Sequence, residues 1–225
     1  MIIIESHKKK PENILKKYPG AIIADVTSQA KDMLVQLSPF YPHGGIPVPF
    51  SEGITATCVE AIWQGLKVFE TCDIDVNLFK NDTMSNMKRT VRKYGMPLGH
   101  RKGVNSSELL GYIDARHQIY LPAYRWVLEN KVKHIVERLR HASKTKTIVL
   151  LDYTTNCDVD DPSKPLSHAF LVKAYIEGFY PFGETEYKNT ESQEKKPREG
   201  LQKWQQAPEE WNCPVLQWSG TSNQA

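Results

Sequence analysis

The 225-residue sequence predicts a helix-rich α+β domain with a small sheet. Two observations lead to this class. Apolar residues recur at spacings of three and four in several long segments, which is typical of helices with one buried face. Short β-branched runs stand apart from those segments, at residues 2–4, 21–26 and 147–151. We expect one domain over residues 1–182, followed by a polar C-terminal tail over residues 183–225, where the composition cannot bury a core.

The first half of the chain combines two strands, a loop and a helix. The strands at residues 2–4 and 21–26 flank a short predicted helix over residues 11–17. Residues 38–49 hold four prolines and two glycines among aromatic residues, which predicts a packed loop. A helix is expected over residues 55–70, with Thr55 or Thr57 as its cap, and Glu60 lies three residues after Thr57, as in a capping box. On that helix Glu60, Gln64 and Lys67 form a polar stripe beside the apolar Trp63.

The second half is mostly helical. Helices are predicted over residues 81–94, from Ser106 or Ser107 to Pro122, which should kink or break the helix, and over residues 124–141 and 166–179. The run at 147–151 is the clearest buried strand, and Asp152 follows it directly. Beyond residue 182 the three tryptophans Trp204, Trp211 and Trp218 offer apolar surface for docking.

Composition excludes several classes of protein. No uncharged apolar stretch approaches the about 18 residues that span a bilayer, and the four cysteines are scattered, as in a reduced protein. We therefore expect a cytoplasmic protein without a membrane partner. The net charge of +3 is nearly balanced, yet basic runs at 8–17, 88–102 and 131–146 leave three alternatives open: an anionic ligand, a nucleic acid, or solvated helix faces.

The common catalytic motifs are missing, and this leaves carboxylate chemistry. The sequence has no GxSxG, Walker or GxGxxG motif and no HExxH or Cys/His cluster, so neither a metal nor a cofactor is expected. The acidic loop over residues 152–161 has three interpretations: side chains that cap backbone amides, an incomplete calcium loop, or catalytic carboxylates beyond a buried strand. His100, beside Arg101, suits a phosphate loop, whereas a cap or core role is expected for His168.

Several segments together resemble one family. Ser38-Pro-Phe-Tyr-Pro42 precedes a helix with the pattern Glu60-x-x-x-Gln64-x-x-Lys67, with Phe69 two residues further on. The segments Arg89-Thr-Val-Arg92-Lys-Tyr-Gly95 and Pro97-Leu-Gly-His-Arg101 come next. This order resembles NADAR domains over roughly residues 38–178. The family's Trp-Gly after the acidic residue is missing here.

The resemblance implies an N-glycosidase acting on ADP-ribosyl or ribosyl-phosphate compounds. Glu60 would be the acid/base, joined by Asp158 or Asp161, since cleavage of a C–N glycosidic bond passes through a positively charged ribose. Phosphate would meet cations, and a base or ribose would stack on an aromatic ring. The expected substrate-binding residues are Tyr41, Trp63, Gln64, Lys67, Arg89, Arg92, His100, Arg101, Asp152 and Asn156. The alternatives are a catalytically silent nucleotide-binding module and a protein that contacts nucleic acid.

Overall fold

The computed structural model describes residues 1–181, so the predicted tail and its tryptophans lie outside the described residues. The strands are β1 (Ile2–Ser6), β2 (Ile22–Asp25), β3 (Ile46–Pro47), β4 (Thr55–Ala56), β5 (Lys67–Phe69), β6 (Pro97–Arg101), β7 (Leu109–Leu110) and β8 (Ile148–Asp152). The α-helices are α1 (Pro11–Lys17), α2 (Val59–Gly65), α3 (Val91–Tyr94), α4 (Tyr112–Ala115), α5 (Leu121–Asn130), α6 (Lys133–Ser143) and α7 (His168–Glu177). Short 3-10 helices cover 33–37 and 76–80, and a π-helical turn covers Arg116–Tyr120. The predicted α+β class is confirmed.

The three predicted β-branched runs form one parallel sheet. Strand β8 lies in its centre and pairs in parallel with β1 on one side and β2 on the other. All of β8 is buried, as expected for a strand covered on both faces. Ile14 of α1 packs with Val149 and Leu151 on one face, and α6 and α7 contact β8 as well. Because the strands are parallel, the carboxyl ends of β1, β2 and β8 lie at the same edge of the sheet.

A second, antiparallel sheet corrects two predictions. Residues 66–70, predicted as the end of a helix, contain strand β5, and the predicted turn and loop at 96–102 contain strand β6. These strands pair with Lys67 opposite His100, and β6 also pairs with β7. Gly99 has φ +155, and a Cβ atom there would lie 2.6 Å from the carbonyl oxygen of Leu110. Residue 99 therefore has no room for a side chain where β6 lies against β7. Pairing with β6 makes residues 67–69 a strand in spite of their helical spacing.

Two predicted helices have different bounds. Only Val91–Tyr94 of the predicted helix 81–94 is helical, because the Asn81 side chain bonds the backbone of Thr83 and Ser85 instead. Pro122 does not break the helix that was predicted to begin at Ser106 or Ser107. It lies in the first turn of α5, directly after the π-helical turn, where a missing N–H is tolerated.

The predicted helix 124–141 is instead divided at Lys131 and Val132 into α5 and α6. Their buried faces form the main core together with α2 and α7. Tyr124 is 1% exposed and its hydroxyl donates to the Leu37 carbonyl at 2.5 Å. Within residues 1–181 no helix combines the length and apolarity that crossing a bilayer requires.

Candidate active site

Helix α2 is buried on every side, including its polar stripe. Its N-cap is Cys58 rather than the predicted Thr57: the Cys58 sulfur accepts from the Ala61 amide at 3.3 Å, while the Thr57 hydroxyl donates to the Asn81 carbonyl. The amide of Glu60 donates to the Pro39 carbonyl at 2.9 Å, which joins the proline-rich loop to the helix. The Glu60 side chain therefore lies within the fold and not on a solvated face.

A chain of hydrogen bonds runs along the polar stripe. The Gln64 amide nitrogen donates to Glu60 Oε1 at 2.9 Å, and Lys67 Nζ donates to Gln64 Oε1 at 3.2 Å. All three side chains are at least nine-tenths buried. Gln64 Oε1 also accepts from the Arg89 amide at 3.2 Å. The sequence placed these residues on one stripe, and the structure connects them into a carboxylate–amide–ammonium chain.

Burial alters the proton equilibrium of Lys67. Desolvation lowers the pKa of its ammonium group to about 8, and the positive charges of Arg89 and Lys88 act in the same direction. The Glu60 carboxylate opposes this shift. Lys67 is thus still mostly protonated at neutral pH, but loses its proton far more readily than an exposed lysine.

The predicted phosphate-binding arginines have other partners. Arg89 is 6% exposed and donates to the carbonyls of Lys67 at 2.5 Å and Asp73 at 2.6 Å, and to the Cys72 sulfur. Arg101 binds Asp73 Oδ1 at 2.5 Å. Arg92 lies exposed on α3. Arg89 and Arg101 thus hold the turn that follows β5 in place. They contribute to the site by fixing its shape and by their positive charge.

Aromatic rings form a wall beside this chain. Trp63 and His100 have ring centroids 3.8 Å apart at an interplanar angle of 33°. Tyr112 and Tyr120 meet the Trp63 ring edge to face at 5.6 and 5.7 Å. Tyr41 instead contacts His43, with ring centroids 4.8 Å apart.

His100 is held neutral within this wall. Burial lowers the pKa of its imidazole well below 6.5, and the neighbouring Lys67 cation lowers it further. At neutral pH the ring therefore adds no charge next to Trp63, and Lys67 supplies the positive charge of this part of the site.

Arg116 connects the aromatic wall to the acidic loop, and the sequence did not reveal it. Its guanidinium donates to the carbonyls of Val159 at 2.7 Å and Asp161 at 3.0 Å, and to the Tyr112 hydroxyl at 2.9 Å. Only 2% of the residue is exposed. Its neighbours Asp114, His117 and Gln118 are polar as well, and a cation in such a segment is normally solvated, so nothing in the sequence indicated its burial.

The carboxylates of the acidic loop mostly cap backbone amides. Asp158 Oδ1 accepts from the amide of Asp160, Asp161 Oδ1 from that of Ser163, and Asn156 Oδ1 from that of Asp158. Backbone capping was one of the three interpretations of this loop. Within residues 1–181, no three His, Cys, Asp or Glu side chains converge as a metal site would require.

Asp152 is buried in a pair with His168. Its Oδ2 lies 3.1 Å from His168 Nδ1 and accepts from the Ser167 hydroxyl at 2.7 Å, while His168 Nε2 lies 2.8 Å from the Val26 carbonyl. Burial works against both charges, but the mutual attraction leaves the pKa of Asp152 lowered and that of His168 raised. An acceptor at each ring nitrogen favours the imidazolium form of His168, and these contacts fasten α7 to the sheet.

Tyr112 connects the two acidic regions electrostatically. Burial raises the pKa of its hydroxyl, Arg116 counteracts that rise, and the charges of both Glu60 and Asp161 reinforce it. The two carboxylates thus act on one hydroxyl from separate segments of the chain. The predicted pairing of Glu60 with Asp158 or Asp161 stays a prediction.

Fold and site define an α+β protein built around a buried carboxylate–amide–lysine chain with an aromatic wall. The protein belongs to the Family of unknown function (DUF6939), whose profile matches residues 6–172 of its sequence. No curated protein and no solved structure matches the chain.

Proposed function

We propose that this protein hydrolyses the N-glycosidic bond of an ADP-ribosyl or ribosyl-phosphate substrate. The observation that carries the proposal is the buried Glu60–Gln64–Lys67 chain, with hydrogen bonds of 2.9 and 3.2 Å, next to the closely packed rings of Trp63 and His100. The carboxylate suits the positively charged ribose of the transition state, the cation suits the phosphate, and the aromatic surface suits the base.

The chemistry assigns one role to each group. As the C–N bond breaks, its electrons leave with the nitrogen and positive charge develops on the ribose, which the Glu60 carboxylate stabilises. Glu60 then accepts a proton from the water whose oxygen bonds to the ribose carbon. That proton passes from Glu60 to the departing nitrogen, directly or through solvent, and Glu60 is again a carboxylate. The Gln64 amide orients Glu60, and the Lys67 ammonium binds an anionic oxygen of the substrate.

The resemblance to NADAR domains supports the substrate class. The pattern Glu60-x-x-x-Gln64-x-x-Lys67 supplies the hydrogen-bonded chain on α2. Burial favours Glu60 as the acid/base, because Glu60 is 8% exposed whereas Asp158 lies exposed on the acidic loop.

Base release from N-ribosyl nucleotides tests the proposal. The full chain should release a free base from at least one ADP-ribosyl or ribosyl-phosphate compound, measured by chromatography. Glu60→Gln keeps an oxygen for Gln64 but loses the charge, so turnover should fall at least about 100-fold. Glu137→Gln, an exposed carboxylate on α6, is the matched control and should retain full activity.

A second function is a nucleotide-binding module without turnover. In such a module Lys67 would bind an anionic oxygen of the nucleotide, while Glu60, whose Oε1 already accepts from Gln64, would not act as an acid/base. Calorimetry with ADP-ribose separates the two: a binding module would bind without releasing a base, and Glu60→Gln would then have no turnover to remove. Absence of both binding and base release would eliminate both functions.

A further inference from the structure

An open groove of about 890 Å³ lies apart from the candidate active site. One wall is the segment 47–55 and the other is helix α5, with Phe50 and Trp126 as the aromatic residues of its lining. Pro122, Arg125 and Glu129 complete the helical wall. None of the residues predicted for catalysis or substrate binding lines this groove, so its apolar surface has a separate explanation.

Phe50, which lines the groove, is partly exposed and has an unusual backbone conformation. Phe50 has φ +55, which is rare for a residue other than glycine, and is 47% exposed. Gly103 fits against it so closely that a Cβ atom would lie 2.1 Å from the Phe50 carbonyl oxygen. The Ser51 hydroxyl also accepts from the Val104 amide at 2.9 Å. A partly exposed aromatic ring on such a backbone offers apolar surface to a docking segment.

The chain leaves its described part beside this groove. The Tyr180 hydroxyl donates to the Leu121 carbonyl at 3.0 Å, one residue before Pro122 of the groove wall. Burial raises the pKa of Tyr180 well above 10.0, and the nearest charges acting on it are those of Arg125 and Glu129. The last described residues therefore lie near the helical wall of the groove.

The continuing sequence carries a suitable occupant. Residues 201–218 contain Trp204, Trp211 and Trp218, and Glu209 and Glu210 directly precede Trp211. Two cations flank the aromatic residues of the groove: Lys102 Nζ lies 5.4 Å from the Phe50 ring centroid and Lys131 Nζ lies 5.6 Å from that of Trp126.

We propose that the indole of Trp211 docks in this groove, with Glu209 and Glu210 facing Lys102 and Lys131. The intervening chain of about 30 residues spans roughly 30 Å on average if it is flexible. Such a tether gives an effective concentration in the millimolar range, so a contact of modest affinity is occupied within one molecule. This docking is independent of the proposed glycosidase activity.

Fluorine NMR of the full chain labelled with 5-fluorotryptophan tests the docking. The Trp211 resonance should be shifted and broadened relative to a free peptide of residues 201–218. Phe50→Ser should return it to the peptide value, whereas Tyr153→Ser, which replaces an exposed aromatic outside the groove, should leave it shifted. The Trp126 resonance should move on Trp211→Ser and stay in place on the matched Trp204→Ser. An unchanged Trp63 resonance would show that each variant is folded.

Three results would overturn the proposal. The Trp211 resonance could match the free peptide in the unmodified chain, or stay shifted in Phe50→Ser. A shift carried by Trp204 or Trp218 would reject the assignment to Trp211. A shift that disappears on dilution would identify the segment of a second copy as the occupant, and would reject docking within one molecule.

Discussion

Replacement of Arg116 by methionine should destabilise the fold measurably. The side chain makes four hydrogen bonds of 3.2 Å or shorter, to the carbonyls of Val159, Asp161 and Lys164 and to the Tyr112 hydroxyl. Each hydrogen bond contributes about 1 kcal/mol net, and its loss leaves an acceptor without a partner. Removal of the buried charge offsets part of this cost, because a buried guanidinium is itself expensive to desolvate. The free energy of unfolding should therefore fall by about 2–4 kcal/mol.

Urea unfolding followed by circular dichroism measures this loss. Arg138→Met makes the same change at an exposed position on α6 and should alter the free energy of unfolding by less than about 0.5 kcal/mol. Arg116→Lys keeps the charge but not the planar group that reaches several carbonyls, so its loss should be intermediate. If Arg116→Met were as stable as Arg138→Met, Arg116 would not hold the acidic loop.

Two further predictions concern titration. Glu60→Gln should lower the pKa of Lys67 below its value of about 8, since the carboxylate stabilises the ammonium group; an NMR titration showing a higher pKa would contradict the hydrogen-bonded chain. The Asp152–His168 pair should contribute its full stability between about pH 4 and 6.5. Because the pKa of His168 is raised above 6.5, its contribution is lost as pH rises through the folded pKa, and because that of Asp152 is lowered, its contribution is lost as pH falls through the folded pKa. Urea midpoints across pH measure both effects, and His168→Gln should abolish the alkaline loss; an unchanged profile would exclude the buried ion pair.

The candidate site was predicted in part. The spacing of Glu60, Gln64 and Lys67 put them on one stripe of a helix. Hydrogen bonds join the three side chains in the structure, although Lys67 belongs to strand β5 and not to the helix. Local spacing is sufficient here because all three lie within eight residues of one another. The buried state of Glu60 was not predictable, since the same pattern also fits a solvated face.

The partners of charged groups over longer distances depend on the fold. Arg89 was predicted to bind phosphate, but its guanidinium holds the carbonyl of Lys67, 22 residues away in the sequence. Arg116 meets carbonyls more than 40 residues further along the chain. Spacing in a sequence says nothing about such contacts, because the folded backbone brings the acceptors into position.

The sequence by itself determined the three strands of the parallel sheet, helix α1 and the apolar faces of the main helices. These features follow from local side-chain properties: β-branched residues suit a pleated surface, and apolar residues at helical spacing need a common core. Only the tertiary structure decided that residues 67–69 pair as a strand, that 81–90 is not helical, and that Arg116 joins the acidic loop to Tyr112. In each case backbone pairing or a buried hydrogen bond between distant segments outweighs a local preference of less than about 1 kcal/mol per residue.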